Sequence, residues 1–193
     1  MSGPAVQRLQ HRLRSLGYWL VDPDGNFGDL TAQAVMAFQG WARLQPDGIA
    51  GPLTQAALVT ATRPQPRDTA TDGVEIDKPH QIILVVRDGV AKYVFHTSTG
   101  TERPYVDPDG KDQVADTPHG HFTFTRQVDG WRDGDLGMMW RPKYFHPTGV
   151  ALHGYSNVPG FPASHGCARV SIEAMNFIWD EDLAPLGSPV WVY

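Results

Sequence analysis

The sequence holds one cysteine, Cys167, among 193 residues. That excludes an intramolecular disulfide and a zinc site built on paired thiolates. Long apolar runs are also missing. No uninterrupted run is longer than Ile82 to Val86, which falls far short of the roughly 20 residues a membrane-spanning helix needs, so any membrane association is peripheral. No block of Lys or Arg stands out and the net charge is −5, which gives no footprint for a nucleic-acid partner. No export signal is read at Met1-Ser2-Gly3-Pro4, which runs straight into an amphipathic pattern. The expectation is that the chain stays inside the cell or that its export segment lies outside the given sequence. Turn formers are plentiful, with 20 Gly and 16 Pro, and 41% of residues are hydrophobic. A folded core is therefore expected, with room for one full domain or a medium domain plus a small module.

The first sixty residues carry an internal echo. Asp24-Gly25-Asn26-Phe27-Gly28-Asp29-Leu30-Thr31 returns, 23 residues on, as Asp47-Gly48-Ile49-Ala50-Gly51-Pro52-Leu53-Thr54. Each copy reads as a turn and a helix start, because Gly tolerates positive φ and Pro suits the first helical position. Helical stripes surround the turns: Val6, Leu9, Leu13 and Leu16, then Ala34, Val35, Phe38 and Ala42, then Leu53, Ala56, Ala57 and Ala61. Three short helices around a small core follow from these stripes, at a size near the lower limit for independent stability. In order and spacing this stretch resembles the peptidoglycan-binding module of bacterial wall enzymes. The matching pieces include Leu16-Gly17-Tyr18, Asp24-Gly25-x-Phe27-Gly28, Phe38-Gln39 and Asp47-Gly48-x-x-Gly51-Pro52. The resemblance implies an anchor for wall glycan or stem peptide over residues 1–61.

Residues 62–73 lack apolar periodicity and read as a semi-extended linker. The period then changes to that of strands. Gln81 to Val86 and Val90 to Phe95 flank Arg87-Asp88-Gly89, a hairpin signal. Further strands are expected at His121 to Thr125, Val150 to His153 and Pro189 to Tyr193. One helix follows Ser171, with Ile172, Met175, Ile178 and Trp179 facing the core. Residues 74–193 thus form a mainly-β domain with one helix. The polar stretch Thr99 to Thr117 reads as a functional loop. A second irregular stretch, Val128 to Pro142, offers Trp131, Met138, Met139 and Trp140, either as a groove lining or as cover for the sheet.

Three features lift Cys167 above a small buried hydrophobe. Gly166 leaves the backbone beside the sulfur open. A predicted helix follows, whose partial positive charge favours a thiolate. His153 ends a nearby predicted strand and can accept the proton, help that a thiol of pKa about 8.5 requires. The pair His119 and His121 shows no third ligand, and the Asp22-Pro23-Asp24-Gly25 and Asp107-Pro108-Asp109-Gly110 segments lack the distal Glu of a calcium loop. No metal is expected.

His153-Gly154 followed by Ser164-His165-Gly166-Cys167-x-Arg169 resembles the signature of the L,D-transpeptidase (YkuD) catalytic domain. Ser98-Thr99-Gly100, Thr117-Pro118-x-Gly120-x-Phe122 and Tyr144-Phe145 support the match. Ala168, where the family more often has Ile or Val, and a long insert from Tyr105 to Asp116 depart from it. The resemblance implies a β-sandwich with one helix, no cofactor, and Cys167 as nucleophile with His153 as base. It further implies that the Gly154 carbonyl orients the imidazole and that the N–H groups of His165, Gly166 and Cys167 form an oxyanion hole. Arg169 would fix the loop or meet a stem-peptide carboxylate, Tyr144 would flank the pocket, Ser164 would hydrogen-bond within the loop or meet substrate, and Trp140 would contact substrate. The implied reaction is release of D-Ala from a tetrapeptide stem, with the thioester passed to the side-chain amine of a neighbouring stem. Acylation by carbapenem-type β-lactams is implied as well. The alternatives are an L,D-carboxypeptidase or wall-link hydrolase using the same cysteine, and a non-catalytic wall-binding protein. The implied partners are stem peptides and glycan. The implied setting is an exported monomer in the cell wall or periplasm.

Overall fold

A computed structural model describes residues 1–68 and 71–193. The helical part holds α1 (Pro4–Ser15), α2 (Asp29–Trp41) and α3 (Pro52–Thr60). There follow β1 (Gly73–Asp77), β2 (Ile82–Arg87), β3 (Val90–His96), β4 (Pro104–Val106), β5 (Asp112–Val114), β6 (Gly120–Thr123) and β7 (Arg126–Gln127). The chain then forms β8 (Trp131–Gly134), β9 (Gly137–Tyr144), β10 (Ala151–Gly154), β11 (Ala168–Val170), α4 (Ile172–Asp180) and β12 (Pro189–Val192). One sheet runs β3-β2-β1-β12-β6, a second runs β11-β10-β9-β7 with β8 beside β9, and β4 pairs with β5. The expected three-helix module followed by a β-rich part with one helix is the observed architecture.

The echoed turns have a common fastening. Gln10 on α1 donates Nε2 to Asp24 Oδ1 and the Asn26 carbonyl, both at 2.9 Å, and its Oε1 accepts from Gly25 N–H at 2.9 Å. Gln39 on α2 repeats this with Asp47 Oδ1 (2.7 Å), the Ile49 carbonyl (3.1 Å) and Gly48 N–H (2.9 Å). A buried amide thus satisfies each turn's inward-facing polar groups, which would be costly to strand. The Asn26 N–H, with Gln10 and the Asn26 side chain, holds the Asp24 carboxyl down to about 2. On α3 the expected stripe is rotated. Leu53 is 76% exposed and Ala56 also faces out, while Thr54 and Leu58 are buried. Thr54 receives Gln39 Nε2 at 3.0 Å, which turns its side of the helix inward.

The helices do not close a core of their own. Leu13, Leu16, Tyr18, Val35, Phe38 and Leu58 pack in one cluster with Ile82, Leu84, Val86, Ala91 and Val94 of β2 and β3. The alternate residues Ile83 and Val85 face the other way, into a second core with Val74, Ile76, Leu152, Ala168, Val170, Met175 and Ile178. This is why β2 is apolar without interruption: both faces of its sheet are covered, and successive side chains point to opposite sides. On β1 the outward positions are Glu75 and Asp77, buried beneath the connector. Glu75 accepts from Arg67 N–H (3.0 Å) and Asp68 N–H (2.8 Å), and Asp77 from Arg67 Nη2 (3.1 Å). Residues 62–68 therefore lie strapped along the sheet. The Thr69 and Ala70 part of the expected linker lies outside the described residues.

The two irregular stretches also contain strands. Thr99 to Thr117 includes the β4–β5 hairpin, and Val128 to Pro142 includes β8 and most of β9, paired from Trp131–Trp140 to Gly134–Gly137.

Candidate active site

The site is built on two adjacent parallel strands. In the register of β10 and β11, Leu152 pairs with Ala168, His153 with Arg169 and Gly154 with Val170. Leu152, Ala168 and Val170 belong to the core between the sheets. Alternation therefore sends His153 and Arg169 to the opposite face. Cys167, two positions before Arg169, continues that row, and the Ala151 N–H reaches its sulfur. Tyr144 lies opposite Ala151 on the next strand.

His153 Nδ1 lies 3.0 Å from the Gly154 carbonyl oxygen. A carbonyl can only accept, so Nδ1 carries the proton and Nε2 presents its lone pair. Burial pushes this imidazole down to about 4, with the Arg169 charge adding to the effect, so it is neutral at pH 7 and able to take a proton. Gly154 is confined. A Cβ there would stand 2.9 Å from Trp140 Cδ1 and 3.1 Å from Met175 Cβ. Trp140 is itself fixed by an Nε1 bond to Asn176 Oδ1 at 2.8 Å and by the Trp131 ring at 5.0 Å.

Cys167 is partly exposed. Burial of the sulfur pushes its thiol up, offset in part by the Ala151 N–H and the Arg169 guanidinium. The expected thiolate at a helix start is corrected here. Strand β11 separates Cys167 from α4, whose N-cap is Ser171, with its side chain accepting from Ala174 N–H. The resting pair is a neutral thiol and a neutral imidazole, and no thiol–imidazole hydrogen bond joins them among the described residues.

The loop before Cys167 is closed on itself. Ser164 Oγ donates to the Cys167 carbonyl (2.6 Å) and accepts from Gly166 N–H (3.0 Å). Ser164 is only 1% exposed, and its hydroxyl is used within the turn. The bond to Ser164 Oγ occupies the Gly166 N–H, one of the three expected oxyanion donors. Gly166 has φ 137°, and a Cβ would meet the Asp116 carbonyl at 2.7 Å, so the position requires glycine. Its own carbonyl accepts from Thr117 Oγ1 at 2.6 Å, and Thr117 Oγ1 accepts from Gly100 N–H at 2.9 Å. One hydroxyl thus joins three separated motif segments. His165 is exposed and carries the Tyr105 ring at 4.8 Å, so the β4–β5 hairpin touches the motif.

Residues 71–192 match the family described as L,D-transpeptidase catalytic domain. The chain belongs to the L,D-transpeptidase family. Residues 2–58 match a second family, described as putative peptidoglycan binding domain. Among solved structures, the L,D-transpeptidase (residues 123–326) from Xylanimonas cellulosilytica DSM 15894 is 46% identical with a TM-score of 0.94, over 100% of this chain and 94% of that one. An L,D-transpeptidase from Stackebrandtia nassauensis shares the fold at 21% identity and TM-score 0.56, over 100% of this chain and 92% of that one. A probable N-acetylmuramoyl-L-alanine amidase of Bacillus licheniformis is 44% identical over 63 residues, 32% of this chain. An uncharacterised protein of Kitasatospora aureofaciens is 53% identical over 58 residues, 30% of this chain. The chain spans 49% of the Kitasatospora protein and 18% of the amidase. The peptidoglycan-binding domain implies association with the cell wall, and no helix among the described residues is long and apolar enough to cross a membrane.

Two of the framing residues make their contacts within the protein. Tyr144 is buried, with the Arg126 guanidinium 3.7 Å from its ring centre, so it supports the floor and does not line an open pocket. Arg169 donates Nη1 to the Ala163 carbonyl at 3.1 Å and lies 4.3 Å from the Tyr155 ring centre. It fixes the loop, while its buried Nε has no hydrogen-bond partner among the described residues. Tyr155 had no signal in the sequence beyond its place next to His153-Gly154, yet it packs against both His153 (5.9 Å between rings) and Arg169.

A pH prediction follows. His96 is also buried, with Nε2 2.9 Å from the Pro159 carbonyl, and burial pushes it down to about 4. Both folded values lie below the ordinary 6.5, so the unfolded chain takes up protons first on acidification. Stability is whole above pH 6.5 and is lost as the pH falls to about 4, on the order of 3 kcal/mol per histidine. Urea midpoints measured across this range should fall steeply for the wild type and less steeply for His96→Gln. Equal slopes would contradict the assignment.

Proposed function

We propose that the chain is a peptidoglycan L,D-transpeptidase acting through a Cys167 thioester. The observation that carries this reading is the neutral His153, with Nδ1 committed to Gly154 O, on the strand face that also presents Cys167. As Sγ attacks the carbonyl between the L-centre of the diamino acid and terminal D-Ala, His153 Nε2 takes the thiol proton. The oxyanion faces the N–H groups of His165 and Cys167, donors of a kind worth about 3–4 kcal/mol. The C–N bond breaks, D-Ala leaves with the proton from His153, and the stem remains as a thioester. The side-chain amine of a neighbouring stem then attacks. Its proton passes to His153 and on to the departing sulfur, and an amide crosslink is left. This chemistry requires no metal or organic cofactor. The substrate places the enzyme outside the cytoplasmic membrane, in the wall or periplasm, as an exported monomer.

Disaccharide tetrapeptides incubated with the protein should give crosslinked dimers and free D-Ala by mass spectrometry. The ratio of dimer to trimmed monomer should rise with acceptor amine. A ratio that stays flat as acceptor is raised would replace transfer by hydrolysis, and absence of both products would leave wall binding alone.

A further inference from the structure

The segment between β10 and β11, residues 155–167, ends at Cys167, and it is fastened from two parts of the molecule. From the β-rich part, His96 Nε2 lies 2.9 Å from the Pro159 carbonyl and Ser98 Oγ donates to the Phe161 carbonyl at 2.8 Å. The N–H groups of Ala163 and Ser164 both reach the Thr99 carbonyl at 3.0 Å. From the helical module, Gln33 Nε2 on α2 donates to the Val158 carbonyl at 3.1 Å. The module's second contact is a close approach of two backbones. A Cβ added at Gly160 would stand 1.8 Å from the Pro46 carbonyl oxygen, against the 3.4 Å at which ordinary contact begins. Gly160 does not lie in the left-handed region, so it is this approach that requires glycine.

Pro46 has little room to yield. It precedes Asp47-Gly48, the echoed turn that Gln39 fastens at Asp47 Oδ1 and at Gly48 N–H. Helix α2, which carries Gln39, is seated on the sheet just as closely, for a Cβ at Gly40 would stand 2.2 Å from the His80 carbonyl oxygen. The first copy of the turn faces the start of α1 instead, where Gly3 N–H donates to the Gly25 carbonyl at 2.8 Å. The second copy is the one set against the cysteine loop. Between Gly160 and Cys167 the chain is stiff. The ring of Pro162 fixes its φ, Arg169 Nη1 holds the Ala163 carbonyl at 3.1 Å, and Ser164 Oγ closes on the Cys167 carbonyl at 2.6 Å. A displacement at Gly160 is therefore carried on toward the sulfur.

We propose that Gln33 and the Pro46 backbone are positioning groups for Cys167: through Val158 and Gly160 the helical module sets the place of the cysteine loop and so completes the site. The proposal rests on the thioester chemistry proposed for Cys167. In the test, the full chain is mixed with a tetrapeptide stem, acceptor withheld, and acylation of Cys167 is followed by intact-protein mass spectrometry over a range of stem concentrations. Gly160→Ala forces the loop back by more than ~1 Å and should lower the limiting acylation rate by about 10–100-fold, the size of effect that such a misplacement has. The half-saturating stem concentration should stay at the wild-type value. Gln33→Met, which keeps the shape and loses the N–H, should lower the limiting rate severalfold, and Gln33→Lys, which keeps an N–H to give, should recover most of it. A role confined to stability would lower the thermal midpoint of the variants and leave the limiting rate of the folded protein unchanged. That result, read on Gln33→Met alone where Gly160→Ala does not fold, would overturn the positioning and leave the cysteine chemistry standing. No adduct on the wild type would remove the cysteine reading, and the positioning with it.

Discussion

A chain that begins at Thr71 should not fold as a soluble monomer. The family boundary at residue 71 suggests a separable catalytic unit, but the outer face of its first sheet has no surface of its own. Ile82, Leu84, Val86 and Val94 are buried, at 1% exposure or less, against α1, α2 and the Tyr18 segment. Removing the helices returns those four side chains to water at about 1.5–3 kcal/mol each, before Ala91 and the strapped carboxylates Glu75 and Asp77 are counted. Such a loss is comparable with the whole stability of a typical domain, about 5–15 kcal/mol. The exposed strand face would also invite association. Size-exclusion chromatography and urea unfolding of residues 71–193 should show aggregate or a non-cooperative transition. A monomer unfolding cooperatively near the full-length midpoint would contradict the shared core. The helical module is in this sense part of the scaffold of the β-rich part.

Replacing His153 with Gln should lower kcat/KM for stem-peptide transfer by about 10²–10⁴-fold, the range general-base catalysis supplies. The size of the effect follows from the resting charge state. Because burial pushes the Cys167 thiol up, little thiolate exists at pH 7 without a base, and the proposed mechanism gives that part to neutral His153 on the same strand face. Two further readouts separate this role from a packing role. Wild-type kcat/KM should decline on acidification with a midpoint near the depressed value of about 4 for His153. The variant should lose that limb and regain rate as the pH is raised toward the thiol's own ionisation. A variant as active as the wild type at pH 7 would contradict His153 as base.

The fold was legible where one residue pattern answered one packing demand. The uninterrupted Ile82 to Val86 run and the Asp88-Gly89 turn gave the β2–β3 hairpin, and the echoed Asp-Gly turns gave the helical module. It was less legible where burial comes from a distant segment. Glu75 and Asp77 make β1 look polar, and their burial is explained by partners outside the strand: the Arg67 and Asp68 N–H groups on Glu75, and the Arg67 guanidinium and His80 on Asp77. The β8–β9 hairpin escaped because it is half-exposed, with Trp131 at 53%, so no apolar alternation marks it. The buried side of the third helix lies one position from its apolar stripe because Thr54, a polar residue, faces inward to meet Gln39. In the site, the residue types and spacing around Cys167 and His153 announced the pair. Their environment did not show: the raised thiol, the strand between Cys167 and α4, the inward-turned Ser164, and Tyr155 beneath Arg169 all depend on contacts between strands.

The account's central claim is a covalent bond between the donor stem and one sulfur. Intact-protein mass spectrometry after brief mixing with a tetrapeptide donor, acceptor withheld, tests it directly. The wild type should gain the mass of the stem less D-Ala, on a peptide containing Cys167, and Cys167→Ala should gain nothing. D-Ala release with no adduct at Cys167, or an equal adduct on the Ala variant, would contradict it.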